Sequence, residues 1–121
     1  MTKILLVEDN ELNRDMLSRR LERKGFEMMT AEDGLQGVKL ACSEAPDLIL
    51  MDMNLPGIDG WEATRQIRAW EEYTHVPIIA VTAHTMSVDY ERAISAGCDQ
   101  YEPKPINLPR LLEKMHDLLG Q

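Results

Sequence analysis

Leu48-Ile49-Leu50-Met51-Asp52-Met53-Asn54-Leu55-Pro56-Gly57 is the stretch that decides the fold. Four apolar residues in a row, closed off by Pro56-Gly57, are the pattern of a short strand buried on both faces. Asp52 stands at the seam between strand and loop, where a carboxylate is expected half out of the core and facing solvent. The same device occurs elsewhere. Ile4-Leu5-Leu6-Val7 runs into Glu8-Asp9, Ile78-Ile79-Ala80-Val81 runs into Thr82, and Asp99-Gln100-Tyr101-Glu102 leads to Lys104-Pro105. If these strands are parallel neighbours, their carboxyl ends gather three acids, a hydroxyl and a lysine at one edge of a sheet. Those groups suit a hard cation and a phosphoryl group.

Strand-like runs near residues 3–8, 27–30, 47–51, 77–81 and 99–102 alternate with helical stretches near 11–24, 33–44, 60–71, 86–96 and 108–119. Five β-α units with short connections imply a parallel sheet covered on both faces. The runs at Ile4–Val7 and Leu48–Met51 are apolar throughout and belong at the centre, whereas Glu27-Met28-Met29-Thr30 suits an edge. In the first helix Leu12, Met16, Leu17 and Leu21 share a stripe, and Asn10 is placed to cap it. Its basic end, Arg19, Arg20, Arg23 and Lys24, complements the helix dipole before Gly25 stops it. Asp33-x-x-Gln36 and Asp59-x-x-Glu62 are capping-box patterns. Trp61 and Trp70 are expected to pack the third helix, and the eight methionines to fill the core.

One domain accounts for all 121 residues. The net charge of −8 disfavours nucleic acid and anionic membranes as partners. No apolar run approaches the ~18 residues of a membrane span, and Met1-Thr2-Lys3 passes directly into a strand with no room for a signal peptide. Cys42 and Cys98 lack metal-ligand spacing and read as buried thiols of a reducing compartment. These features point to the cytoplasm. His75, His84 and His116 are scattered, without the spacing of a zinc site.

The set Glu8-Asp9, Asp52, Thr82-Ala83 and Lys104-Pro105, in that order and spacing, resembles the receiver domain of two-component response regulators. The phrases Leu5-Leu6-Val7-Glu8-Asp9-Asn10, Leu55-Pro56-Gly57-Ile58-Asp59-Gly60 and Ala96-Gly97-Cys98-Asp99 match as well, so the resemblance spans essentially the whole chain. It implies a flavodoxin-like (βα)5 α/β fold with strand order 2-1-3-4-5. It also implies a single receiver domain over residues 1–121 without an output domain of its own.

By position, the resemblance makes Asp52 the acceptor of a phosphoryl group from the phosphohistidine of a histidine kinase or histidine phosphotransferase. Asp9 and Asp52 would hold Mg²⁺, with the backbone carbonyl of Asn54 as a further ligand and Glu8 acting through water. Lys104 would bond a phosphoryl oxygen, aimed inward by a cis bond to Pro105. Thr82 and Tyr101 would form the switch, the tyrosine turning in as the Thr82 hydroxyl moves toward phosphate. Asn54, Ala83 and His84 would line the approach to the acyl phosphate. The phosphotransfer partner would dock on the first helix at Asn10, Leu12, Asn13, Arg14 and Leu17, near Ile106. A downstream protein target would use the fourth helix, fifth strand and fifth helix. The chain departs from the family at Glu102-Pro103, where an apolar residue is commoner after the tyrosine. Two other readings compete. A Mg²⁺-dependent phosphoaspartate phosphohydrolase needs a second acid two residues after its nucleophile, where this chain has Asn54. A degenerate receiver acting without phosphate would lack one of Asp9, Asp52, Thr82 or Lys104, and all four are present.

Overall fold

Central strands apolar at successive positions, and helices with an apolar stripe at period 3.6, translate directly into layers. The computed structural model describes residues 1–70, 75–83 and 87–121, without the side chains of residues 87–89. The elements are β1 (Lys3–Val7), α1 (Glu11–Arg23), β2 (Glu27–Ala31), α2 (Gly34–Glu44), β3 (Leu48–Asp52), α3 (Gly60–Ala69), β4 (Ile78–Thr82), α4 (Ser87–Ala96), β5 (Gln100–Pro103) and α5 (Leu108–Leu119). All pairings are parallel and the order is β2-β1-β3-β4-β5, a flavodoxin-like α/β sandwich. No described helix is long and apolar enough to cross a membrane.

Alternate residues of the central strands feed two cores. Leu5, Val7, Ile49, Met51, Ile78 and Ala80 pack with residues of α2, α3 and α4 on one face. Ile4, Leu6, Leu48, Leu50 and Ile79 pack with Leu17, Leu21, Leu111 and Met115 of α1 and α5 on the other. Truncating one such side chain, as in Leu50→Ala, costs about 2–5 kcal/mol of stability. The register puts Val7, Met51, Ala80 and Tyr101 in one row across the sheet. Glu8 and Asp52 each follow that row by one residue, so both acids reach the same edge.

Helix starts follow the expected chemistry, with Asn10, Asp33, Asp59 and Asn107 accepting from the backbone N–H three residues on. The two capping boxes are incomplete. Gln36 reaches back to the N–H of Glu32 rather than Asp33, and Glu62 turns instead to Arg65 and Gln66 on its own helix. The α1 stripe divides as well. Leu17 and Leu21 are buried, but Leu12 and Met16 are 71% and 50% exposed. The helix starts at the carboxyl edge of the sheet, so its first turns lack cover. Trp61 packs inside, with the Arg92 guanidinium 3.8 Å from its ring centre, whereas Trp70 caps the end of α3 in solvent. Met1 is also exposed, and Cys42 is only half-buried beside the buried Cys98.

Candidate functional site

Strand order reverses between β1 and β3, and in open α/β sheets that divergence creates a crevice beyond the carboxyl ends of the strands. Here the crevice is lined with acid. One carboxylate oxygen each from Glu8, Asp9 and Asp52 lies within 4.8 Å of the others. Asp52 belongs to β3 itself and is only 3% exposed, so the expectation of a half-exposed seam residue is corrected. It is covered because its row of the sheet is flanked by Glu8 on one side and Val81 on the other.

Lys104 faces this cluster, with its Nζ 3.0 Å from Asp52 Oδ2 and 3.5 Å from Glu8 Oε1. The backbone N–H of Asn54 donates to Asp52 Oδ1 at 2.9 Å, and that of Asn10 to Glu8 Oε2 at 3.3 Å. Burial, then the hydrogen bond and charge of Asp52, push the Glu8 carboxyl up to about 7, which Lys104 only partly offsets. Burial alone would lower the Lys104 ammonium, but the bond and charge of Asp52, followed by Glu8, leave it above its ordinary value. The cluster of three carboxylates thus meets the Lys104 ammonium at two of its members, Asp52 and Glu8. A hard divalent cation with oxygen preference fits that donor set and the charge imbalance.

The surrounding chain is built to hold this geometry. The N–H of Gly60 bonds Met53 O at 3.1 Å, bringing the start of α3 against the back of the Asp52 loop. A side chain at position 60 would collide with the backbone of Asp52 and Met53, so glycine is required for that approach. Gly57, at φ +74°, turns the loop after Pro56. The Lys104 N–H donates to Thr82 O at 2.8 Å, and the Lys104–Pro105 bond is cis. Thr82 ends β4 fully buried, while Asn54 and Ala83 are exposed at the mouth. Tyr101 is half-buried, its ring edge-on to Tyr90 at 5.8 Å. His84 lies outside the described residues.

The family model of the response regulator receiver domain matches residues 4–116. The chain belongs to that family. It is 44% identical to the polar-differentiation response regulator DivK of Brucella ovis, covering 99% of this chain and 98% of that protein. The receiver domain of the sensor histidine kinase PA1611 from Pseudomonas aeruginosa, solved with a magnesium ion coordinated in its active site cleft, superimposes with a TM-score of 0.92 at 39% identity, covering 99% and 98% of the two chains. The receiver domain of Ssk1 from Saccharomyces cerevisiae, co-crystallised with the histidine phosphotransfer protein Ypd1, gives 0.89 at 32% identity, covering 96% and 87%.

Two features of this receiver were not expected from its sequence. Arg14 donates to the backbone carbonyls of Glu8, at 2.9 Å, and Asp9, at 3.5 Å, clamping the turn that carries both acids. Its side chain is largely covered, so it serves the site as well as the α1 surface. The second is Glu102, wholly buried on β5 beneath Arg110 and Lys114 of α5. The i, i+4 spacing of those two cations, in the helix that follows a strand carrying an acid, was the signal available for it. Beside the acids, a groove of about 540 Å³ runs between Asn13, Met16, Leu17 and Arg20 of α1 and the Lys104–Ile106 loop.

Proposed function

We propose that Asp52 accepts the phosphoryl group through which this receiver signals, and that the acid cluster holds Mg²⁺ for that transfer. The observation that carries the reading is the buried Asp52 carboxylate, with Lys104 Nζ at 3.0 Å and the carboxylates of Glu8 and Asp9 alongside. An oxygen of Asp52 attacks phosphorus, and the P–N bond of the donor phosphohistidine breaks, its electron pair returning to the imidazole ring. A carboxylate is a weak nucleophile, so the contribution of the protein is alignment and charge neutralisation. Lys104 neutralises a phosphoryl oxygen, and Thr82 donates its hydroxyl to another. Asp9, Asp52 and the carbonyl of Asn54 would hold the magnesium, Glu8 would act on it through water, and the ion would supply positive charge to the phosphoryl oxygens. Thr82 and Tyr101 carry the change to the α4–β5–α5 face, where a downstream protein binds. Asn54 and Ala83 line the approach of the hydrolytic water. The amide of Asn54 is no general acid, which favours a switch that catalyses only its own phosphorylation and dephosphorylation over a phosphohydrolase.

The donor is a histidine kinase or histidine phosphotransferase, working in the cytoplasm and docking along α1. Support comes from the exposed Leu12 and Met16 beside the groove that leads to Glu8 and Lys104. The match to nearly the full length of DivK supports residues 1–121 acting as one receiver unit. The test is incubation with radiolabelled acetyl phosphate, with Mg²⁺ and with EDTA. Label that requires Mg²⁺ and is released by hydroxylamine is expected. Label that forms equally in EDTA would refute the reading.

A further inference from the structure

Glu102 is a buried carboxylate with no place in the phosphoryl chemistry. It points away from the acid cluster toward α5, and its side chain is 0% exposed. Arg110 donates to it through Nε, at 3.2 and 3.1 Å, and through Nη2, at 2.7 Å. Lys114 donates at 2.9 Å and also reaches the main-chain carbonyl of Tyr101. A third contact comes from the backbone N–H of Asn107, at 3.4 Å from Glu102 Oε2. Asn107 is the N-cap of α5, so the two ends of the arc Pro103-Lys104-Pro105-Ile106 are tied together through one side chain. Two of those four residues are prolines and offer no N–H. Lys104 itself is anchored to Thr82 O through its own N–H.

We propose that Glu102, held by Arg110 and Lys114, is a positioning residue that fixes the arc so that the Lys104 ammonium stays directed at Asp52. The inference rests on the phosphoryl-binding role of Lys104 given above. An apolar residue at position 102 would pack the core but could not hold the α5 cap, and the arc would be set by Lys104 alone. Lys114 adds a second link, because one ammonium bridges the carbonyl of Tyr101 and the carboxylate of the next residue.

The test uses five variants of the full chain: Glu102→Gln, Glu102→Leu, Lys104→Ala, the double replacement of Glu102→Leu with Lys104→Ala, and the triple replacement Glu102→Leu with Arg110→Leu and Lys114→Leu. The triple replacement exchanges a buried ionic group for apolar packing and is chosen to keep the fold stable. The rate of phosphorylation by acetyl phosphate, the Mg²⁺ affinity and the thermal midpoint are measured for each. Amide exchange at Lys104 and Asn107 is followed in Mg²⁺-free protein. Misplacing a reacting group costs rate steeply, so the Glu102→Leu and triple variants are expected to phosphorylate about tenfold more slowly, with Glu102→Gln between them and wild type. Mg²⁺ affinity stays unchanged, and exchange at Lys104 and Asn107 speeds up. Combined with Lys104→Ala, Glu102→Leu should slow the reaction no further, because it acts through that lysine. A stable triple variant with the wild-type rate would overturn the proposal, as would a Glu102→Leu loss that multiplies that of Lys104→Ala. Phosphorylation of Lys104→Ala at the wild-type rate would instead overturn the role of Lys104 on which the proposal stands.

Discussion

Glu8 with Asp52 at the crevice, and Glu102 beneath α5, are both buried carboxylate sites, yet they are compensated in opposite ways. At the crevice three carboxylates cluster and Lys104 is ion-paired with two of them, Asp52 and Glu8, while Glu8 is pushed up to about 7. Beneath α5 one carboxylate has two cations and a backbone N–H. Burial would raise Glu102, but the bonds from Arg110 and Lys114 hold it below the usual carboxylate range. The difference separates a tie from a binding site. A tie is closed by the protein's own groups, whereas a binding site is left short of positive charge, which a ligand can supply.

Removing the carboxylate at each place should therefore have opposite consequences for stability. Glu102→Ala leaves Arg110 and Lys114 facing each other without an anion and should cost about 2–4 kcal/mol in urea unfolding, reduced because Arg110 is half-exposed. Asp52→Ala in Mg²⁺-free protein removes a repelling charge and should leave stability equal or higher. Loss of equal size at both positions would erase the distinction.

pH should separate the two places as well. Glu8 has a raised value in the folded chain, so its contribution is full below about 4.5 and is lost as pH rises through about 7. Glu102 is lowered, so its contribution is present above the ordinary carboxylate range and is lost as acid takes the pH down through its folded value. Mg²⁺-free protein should be most stable near pH 5 and lose on the order of 2 kcal/mol by pH 8. Saturating Mg²⁺ or Glu8→Gln should flatten that decline, and a decline that persists in both would contradict the assignment.

Within the crevice the three acids are unequal. Asp9→Ala should weaken Mg²⁺ binding at least tenfold by isothermal titration, about 1.4 kcal/mol, and Glu8→Ala less, because a contact through water is the weaker of the two. Equal losses would show that both acids bind the ion alike. A smaller effect is expected at the rim. Leu12→Asp with Met16→Asp should slow transfer from a phosphohistidine protein several-fold while leaving acetyl phosphate untouched, and equal slowing with both donors would place the defect outside docking.

Much of this organisation was legible in the chain. The all-apolar runs Ile4–Val7 and Leu48–Met51 announced central strands, and each ended on the acid that the register brings to the common edge. Strand order was not legible from periodicity and came from the family resemblance. The burial of Asp52 was misjudged because a strand's end in sequence does not reveal how far its neighbours extend beside it. The exposure of Met16 and Leu12 was not legible in their shared stripe, because a helical stripe shows which residues share a face, not where the sheet beneath that face stops. Arg14 and the Glu102 tie escaped because their partners are backbone atoms or lie on another element.

The central claim is that the crevice is left short of positive charge so that Asp52 can take a phosphoryl group. Its most direct measurement is residue-level mapping by borohydride reduction after treatment with acetyl phosphate and Mg²⁺. The expected result is modification at Asp52 alone, abolished in Asp52→Ala. Full modification of the Asp52→Ala protein, or a map that places the label on another residue of the wild-type chain, would contradict it.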